Sequence, residues 1–122
     1  MSKRRVVVTG MGIVSPVGND LATAWGNITA GRSGIGPLTN FDASACTTRI
    51  AGEVRDFDPA LWIPPKDIKK MDSFIHYGVA AGLMALQDAG LEITEANAER
   101  TGTLIGSGIG GISGIEKTTL AL

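Results

Sequence analysis

Glycines dominate the stretches of this chain whose spacing could do chemistry. Gly106-Ser107-Gly108-Ile109-Gly110-Gly111 follows the apolar run Thr103-Leu104-Ile105 and satisfies G-x-G-x-x-G. In a βαβ unit that pattern wraps backbone amides and a helix N-terminus around a pyrophosphate. A dinucleotide-binding module using Gly106–Gly111 is therefore one reading. Its confirming acidic residue would stand ~20 residues onward, past Leu122. Gly110 also adds flexibility where the helix should already be forming. The other reading is steric: main chain packed against a neighbour, or lining a channel. A second loop, Gly10-Met11-Gly12-Ile13-Val14-Ser15, misses the third glycine, and Pro16 and Gly18 delay its helix. It reads as a structural turn.

The remaining reactive types are sparse. Cys46 is the sole thiol. A reactive thiol needs a helix N-terminus or a basic neighbour, and Arg49 three residues on is all the local sequence offers, so Cys46 reads as partly buried and inert. His76 is the sole histidine and falls beside a helical apolar stripe, where a structural or surface role fits. The carboxylates show no metal or glycosidase spacing, and Ser15, Ser107 and Ser113 lack a G-x-S-x-G elbow. No metal site is expected. Lys66, Lys69 and Lys70 share one face of a helical turn. They read either as a solvated turn or as a docking patch for an acidic partner.

These residues must be positioned by the elements around them. Arg5–Thr9 is a β-branched run and predicts a buried strand. Asn19 or Asp20 can cap a helix bearing Leu21, Ala24, Trp25 and Ile28 on one face, stopped at Gly31. Residues 31–47 read as an irregular excursion, and Arg49–Val54 as a second strand weakened by Gly52. A long helix is expected from Asp72 or Ser73 to about Ala89, with Ile75, Val79, Leu83 and Leu86 at helical spacing and Gly90 as its C′ residue. Gly78, Gly82, Ala81, Ala85 and Ala89 leave its surface nearly flat, so close backbone neighbours are expected. Thr94–Arg100 predicts a short capped turn, Thr101–Ile105 a third strand, and Ile112–Leu122 the start of another helix. The order β-α-β-α-β-α favours an α/β layered fold.

The totals agree with one domain and a packed core: 122 residues, 43% apolar and 19% charged. Aromatics are only 5% while glycine numbers 17, so the core must rest on aliphatic residues and close backbones. A net charge of −1 gives no bulk attraction to nucleic acid or to a membrane surface. A single cysteine fits a reducing, cytoplasmic setting. Lys3, Arg4 and Arg5 before Val6–Val8 hint at a signal peptide, but Thr9, Gly10, Gly12 and Pro16 break the apolar run. The chain ends within an uncapped apolar segment, as a piece of something longer would. On its own it is expected to be unstable.

Four ordered stretches resemble the β-ketoacyl-acyl carrier protein synthases, the type II enzyme most closely. They are Arg4–Gly18, Lys70-Met71-Asp72-Ser73-Phe74-Ile75-His76-Tyr77-Gly78, Asp88-Ala89-Gly90-Leu91 and Gly106–Gly111. The resemblance covers residues 1–122 but only the opening portion of the family's chain. It implies an incomplete N-terminal half of a thiolase-like layered fold, α-β-α-β-α. It implies fatty acyl elongation by decarboxylative condensation with malonyl-acyl carrier protein, in a homodimer. No cofactor is implied beyond the phosphopantetheine that arrives on the carrier protein. The family's nucleophilic cysteine and two histidines are not matched by Cys46 or His76, so no catalytic residue is expected here. Ile109 matches a position lining the acyl pocket near the dimer interface, with Gly108 and Gly110 beside it. Lys66, Lys69 and Lys70 match the positions that meet the acyl carrier protein. A non-catalytic ketosynthase-like partner is the remaining alternative.

Overall fold

The computed structural model describes residues 3–122. The chain forms two compact units, one of residues up to Gly12 together with Pro59–Leu122, the other Ile13–Asp58. Both mix small residues with polar clasps, but they use them differently.

The Ile13–Asp58 unit is held by polar groups that satisfy backbone ends. Ser15 and Gly18 exchange amide–carbonyl bonds of 3.0 and 3.1 Å and close a tight turn. Asp20 is the N-cap of α1 (Leu21–Thr29), its carboxylate accepting from the Thr23 amide at 2.8 Å. That bond holds the Asp20 carboxyl below the ordinary range. Asn27 Nδ2 ties the helix back to the Val17 carbonyl at 2.7 Å. Of the expected apolar face only Ala24 is buried; Trp25 and Ile28 are exposed.

The excursion after α1 holds a strand that the sequence reading misses. β1 (Ile35–Pro37) pairs antiparallel with β2 (Ile50–Gly52), with Gly36 opposite Ala51. β2 lies inside the expected 49–54 strand, so its partner comes from the stretch read as irregular. Three residues with Gly36 and Pro37 carry no period to read. Glu53, directly after β2, is 7% exposed. Its carboxylate accepts from the Thr39 hydroxyl at 2.7 Å, the Thr39 amide at 3.0 Å and the Asn40 amide at 3.1 Å. Those donors hold its carboxyl below the usual carboxylate range, the Thr39 hydroxyl first.

The other unit is built on α3 (Ser73–Ala89), 17 residues long. Asp72 is its N-cap residue, but the side chain makes no capping bond. At the other end Gly90 takes φ +59°. The Gly90 amide bonds the Gln87 carbonyl and the Leu91 amide bonds the Leu86 carbonyl at 3.0 Å. This is a Schellman ending, and an L side chain at Gly90 would cost about 1–2 kcal/mol in that conformation. Ala80 is 0% exposed. The expected stripe of Ile75, Val79, Leu83 and Leu86 is only partly covered: Ile75 and Leu83 remain exposed. The flat alanine face is where main chain arrives. A Cβ on Gly10 would overlap the Ala85 carbonyl and lie 2.7 Å from Ala89 Cβ. A Cβ on Gly12 would overlap the Ala81 carbonyl and lie 2.8 Å from Met84 Cβ. The Met11 amide donates to Asp88 Oδ2 at 2.9 Å and pins the loop in place.

Around α3 lie a 3-10 turn (Pro59–Leu61), α2 (Pro65–Ile68), α4 (Glu95–Ala98) and α5 (Ile112–Leu120). Pro65 opens α2, where its missing N–H costs nothing. Asn97 Oδ1 accepts from the Thr94 amide at 2.8 Å and caps α4.

Two expected strands are corrected. Arg5–Thr9 and Thr101–Ile105 join no ladder among the described residues. Val6 is 89% exposed and Leu104 98%. A β-branched run becomes a strand only when a neighbour takes up its amides and carbonyls, and among the described residues the one sheet is the β1–β2 pair. The chain is thus α/β in content. No helix among the described residues is long and apolar enough to cross a membrane.

Candidate functional site

The Gly106–Gly111 loop and the lysine turn meet at one open groove of about 680 Å³. It lies within the α3-based unit. Lys69, Lys70, Met71, Phe74, Ile75, Ile109 and Ile115 are among the residues that line it.

The lysine turn is set by α2 and by His76. Lys66 lies in α2 and Lys69 ends it in helical geometry. Lys70 Nζ pairs with Asp67 Oδ1 at 2.9 Å, with Lys70 well exposed. Such an exposed pair contributes little stability, so the turn needs another anchor. His76 supplies it: Nε2 sits 3.1 Å from the Ile68 carbonyl oxygen, across from α3 to the end of α2. The sole histidine is thus a clasp, in keeping with a structural role.

The loop itself is unusual backbone. Gly110 N–H bonds the Gly108 carbonyl at 2.8 Å and Gly111 N–H bonds the Ile109 carbonyl at 2.9 Å. Two consecutive three-residue turns result, with φ +65° at Ile109 and +62° at Gly110. A β-branched residue at positive φ carries strain of about 1–3 kcal/mol. Ile109 is nonetheless 77% exposed, its side chain presented at the groove. A Cβ on Gly106 or Gly108 would meet nothing within 4 Å, whereas one on Gly110 would lie 2.9 Å from the Phe74 ring.

This geometry is poor for a phosphate. The amides of Gly110 and Gly111 are already bonded within the loop. The Asp72 carboxylate lies against Gly111 and Gly114, at the first turn of α5. A pyrophosphate there would meet a like charge in place of bare helix amides.

Of the expected site residues, Ile109, Lys69 and Lys70 come together on the groove; Gly108 and Gly110 flank Ile109 in the chain but, like Lys66, lie outside the lining. Cys46 is exposed rather than partly buried. It sits in a turn, its amide on the Ala43 carbonyl at 2.9 Å and its carbonyl accepting from Arg49 Nε at 3.3 Å. Neither bond activates the thiol. Asp72, Phe74 and Ile115 were not legible as site residues. Ile115 follows Ile112 at helical spacing, but which face of α5 meets α3 depends on the fold.

Comparison with known proteins agrees with the motifs. Residues 3–121 match the family described as beta-ketoacyl synthase, N-terminal domain. The chain is 57% identical over its whole length to 3-oxoacyl-[acyl-carrier-protein] synthase 2 of Vibrio harveyi, covering 29% of that protein. It is 53% identical over its whole length to the synthase 2 of Coxiella burnetii, covering 30%. Among solved structures it resembles the ishigamide ketosynthase/chain length factor, with TM-score 0.66 and 40% identity over 75% of this chain and 23% of that one. It therefore spans less than a third of the relatives it matches. The chain belongs to the β-ketoacyl synthase family and matches its N-terminal domain.

Proposed function

We propose that this chain is the N-terminal part of a 3-oxoacyl-[acyl-carrier-protein] synthase that elongates fatty acyl chains. The identity of 57% across all 122 residues to a protein of that name carries the reading. In the complete protein an acyl group is held as a thioester on a nucleophile outside residues 1–122. Malonyl-acyl carrier protein loses carbon dioxide, and the carbanion so formed attacks the thioester carbonyl. The nucleophile's thiolate leaves, and the product is a 3-oxoacyl thioester on the carrier protein. Phosphopantetheine comes with the carrier, and no resident cofactor takes part.

Within this scheme residues 3–122 shape and dock rather than catalyse. Ile109, with Gly108 and Gly110, forms pocket wall. Lys66, Lys69 and Lys70 meet the acidic carrier protein by charge. The exposed segments 5–9 and 101–105 take strand positions in the α-β-α-β-α layers of the complete protein, and the protein works as a cytoplasmic homodimer. The exposure of Val6 and Leu104 supports this, since such runs need a covering layer.

The test is a condensation assay on the complete protein with acyl- and malonyl-acyl carrier protein. One carbon dioxide per 3-oxoacyl product is expected, and none from residues 1–122 alone. A second reading draws on the name of the solved relative, ketosynthase/chain length factor: a non-catalytic ketosynthase-like partner. A complete protein that is silent alone, and alters product length only beside an active ketosynthase, would establish that reading instead.

A further inference from the structure

We propose that Asp72 is a positioning residue that fixes Ile109 at the groove and so sets which acyl chains are accepted. The inference rests on the reading of Ile109 as pocket wall.

Asp72 occupies the N-cap position of α3 yet makes no capping bond there. Its carboxylate is turned to another element. A Cβ on Gly111 would overlap Asp72 Oδ2, and a Cβ on Gly114 would lie 2.6 Å from the same oxygen. Gly111 and Gly114 are the N-cap and third residue of α5, and α5 has no side-chain cap of its own. An anion beside the first turn of a helix is electrostatically favoured. The carboxylate therefore seats α5, and the two glycines are the space it needs. Phe74, two residues on, lies under Gly110, with ring carbons 2.9 Å from where its Cβ would be. Residues 72–74 thus bracket residues 110–114. Ile109 precedes that bracketed segment directly and is held at φ +65°. Without a bracket, only the two short loop bonds, Gly110 N–H to the Gly108 carbonyl and Gly111 N–H to the Ile109 carbonyl, oppose the relaxation of Ile109 to negative φ, which would turn its side chain away from its present place.

The experiment uses the complete protein and two readouts, the thermal midpoint and the ratio of kcat/KM for long over short acyl substrates. Gly114→Ala should lower the midpoint when Asp72 is present. In an Asp72→Ala background the same change should raise it, because alanine favours a helix interior over glycine. Asp72→Ala should shift the long-to-short ratio by about tenfold, the low end of what an apolar pocket discriminates. Asp72→Asn, which keeps the shape, should recover part of that ratio. If Asp72→Ala does not fold, Asp72→Asn and Gly114→Ala carry the test, each shifting the ratio in the same direction. Additive midpoints would overturn the bracket. A sign change in the midpoints with an unmoved ratio, while Ile109→Phe does move it, would overturn the role of Asp72 and leave the pocket standing. An unmoved ratio in Ile109→Phe itself would remove the pocket reading and this proposal with it.

Discussion

The two glycine stretches of the α3-based unit, Gly10–Gly12 and Gly106–Gly111, differ in what their glycines do. At Gly10 and Gly12 the missing side chains are filled by the backbone of α3, at Ala85 and Ala81. At Gly106 and Gly108 an added Cβ would meet nothing within 4 Å. The first loop is closed by packing, with Met11 tied to Asp88. The second is closed only at its far end, by Phe74 and Asp72, and exposes a strained isoleucine. Glycine thus serves close approach in one loop and a shaped, adjustable edge in the other. The same letters in a motif need not share a cause.

The strongest way to break the comparison is to add atoms to the first loop. Gly12→Val places its Cβ on the Ala81 carbonyl, a backbone atom that cannot swing aside. The complete protein should lose about 3 kcal/mol, the upper end for overpacking. Thermal unfolding would read it as a lowered midpoint or as loss of soluble protein. A parent-like midpoint would mean that the loop does not rest on α3.

Next in size is Ile109→Phe, which enlarges the exposed side chain of the second loop at the groove. In the complete protein kcat/KM for the longest accepted acyl chain should fall about tenfold or more relative to short ones. The midpoint should hardly move, since an exposed side chain has few contacts to lose. Gly12→Val and Ile109→Phe therefore separate stability from selectivity across the two loops.

How much of this was visible beforehand follows from where the information sits. α3 is legible because its signals are local: Asp72 at one end, Gly90 at the other, apolar residues at helical spacing. Asp20 and Gly31 mark α1 for the same reason. The flat alanine face and its close neighbour are legible too, because Ala81, Ala85 and Ala89 recur every four residues. β1 is not, since three residues containing Gly36 and Pro37 lack a strand's composition. Arg5–Thr9 fails in the opposite way. Its composition is that of a strand, but pairing is a property of the neighbours. The groove was half legible. Ile109 and the lysines stand out by motif and charge. Asp72 reads as an ordinary cap, and only the fold shows its carboxylate turned toward α5.

The lysine turn sharpens the comparison by asking whether the groove beside the second loop receives a partner. Lys69→Glu with Lys70→Glu should weaken carrier-protein binding about tenfold at low salt, taking ~1 kcal/mol per reversed exposed pair as an upper figure. The difference should shrink as ionic strength passes about 0.15 M, where the screening length is about 8 Å. Lys66 lies outside the groove lining, so Lys66→Glu should have the smaller effect. Titrations at two salt concentrations decide it. A salt-independent affinity would count against docking by charge, and an equal loss in Lys66→Glu would move the contact from the groove to the whole turn.

The smallest effect is expected at Gly108→Ala, and it is the fairest counterpart to Gly12→Val. Gly108 is not in the left-handed region, and a Cβ there meets nothing within 4 Å. A compatible glycine-to-alanine change acts mainly by restricting the unfolded chain, and gains about 0.4–1 kcal/mol. The midpoint of the complete protein should therefore hold or rise slightly. If it falls as far as for an overpacked core, then Gly108 is covered in the assembled enzyme by main chain from outside residues 1–122. The second loop would then be a packing loop like the first, and the contrast between them would belong to this part of the protein alone.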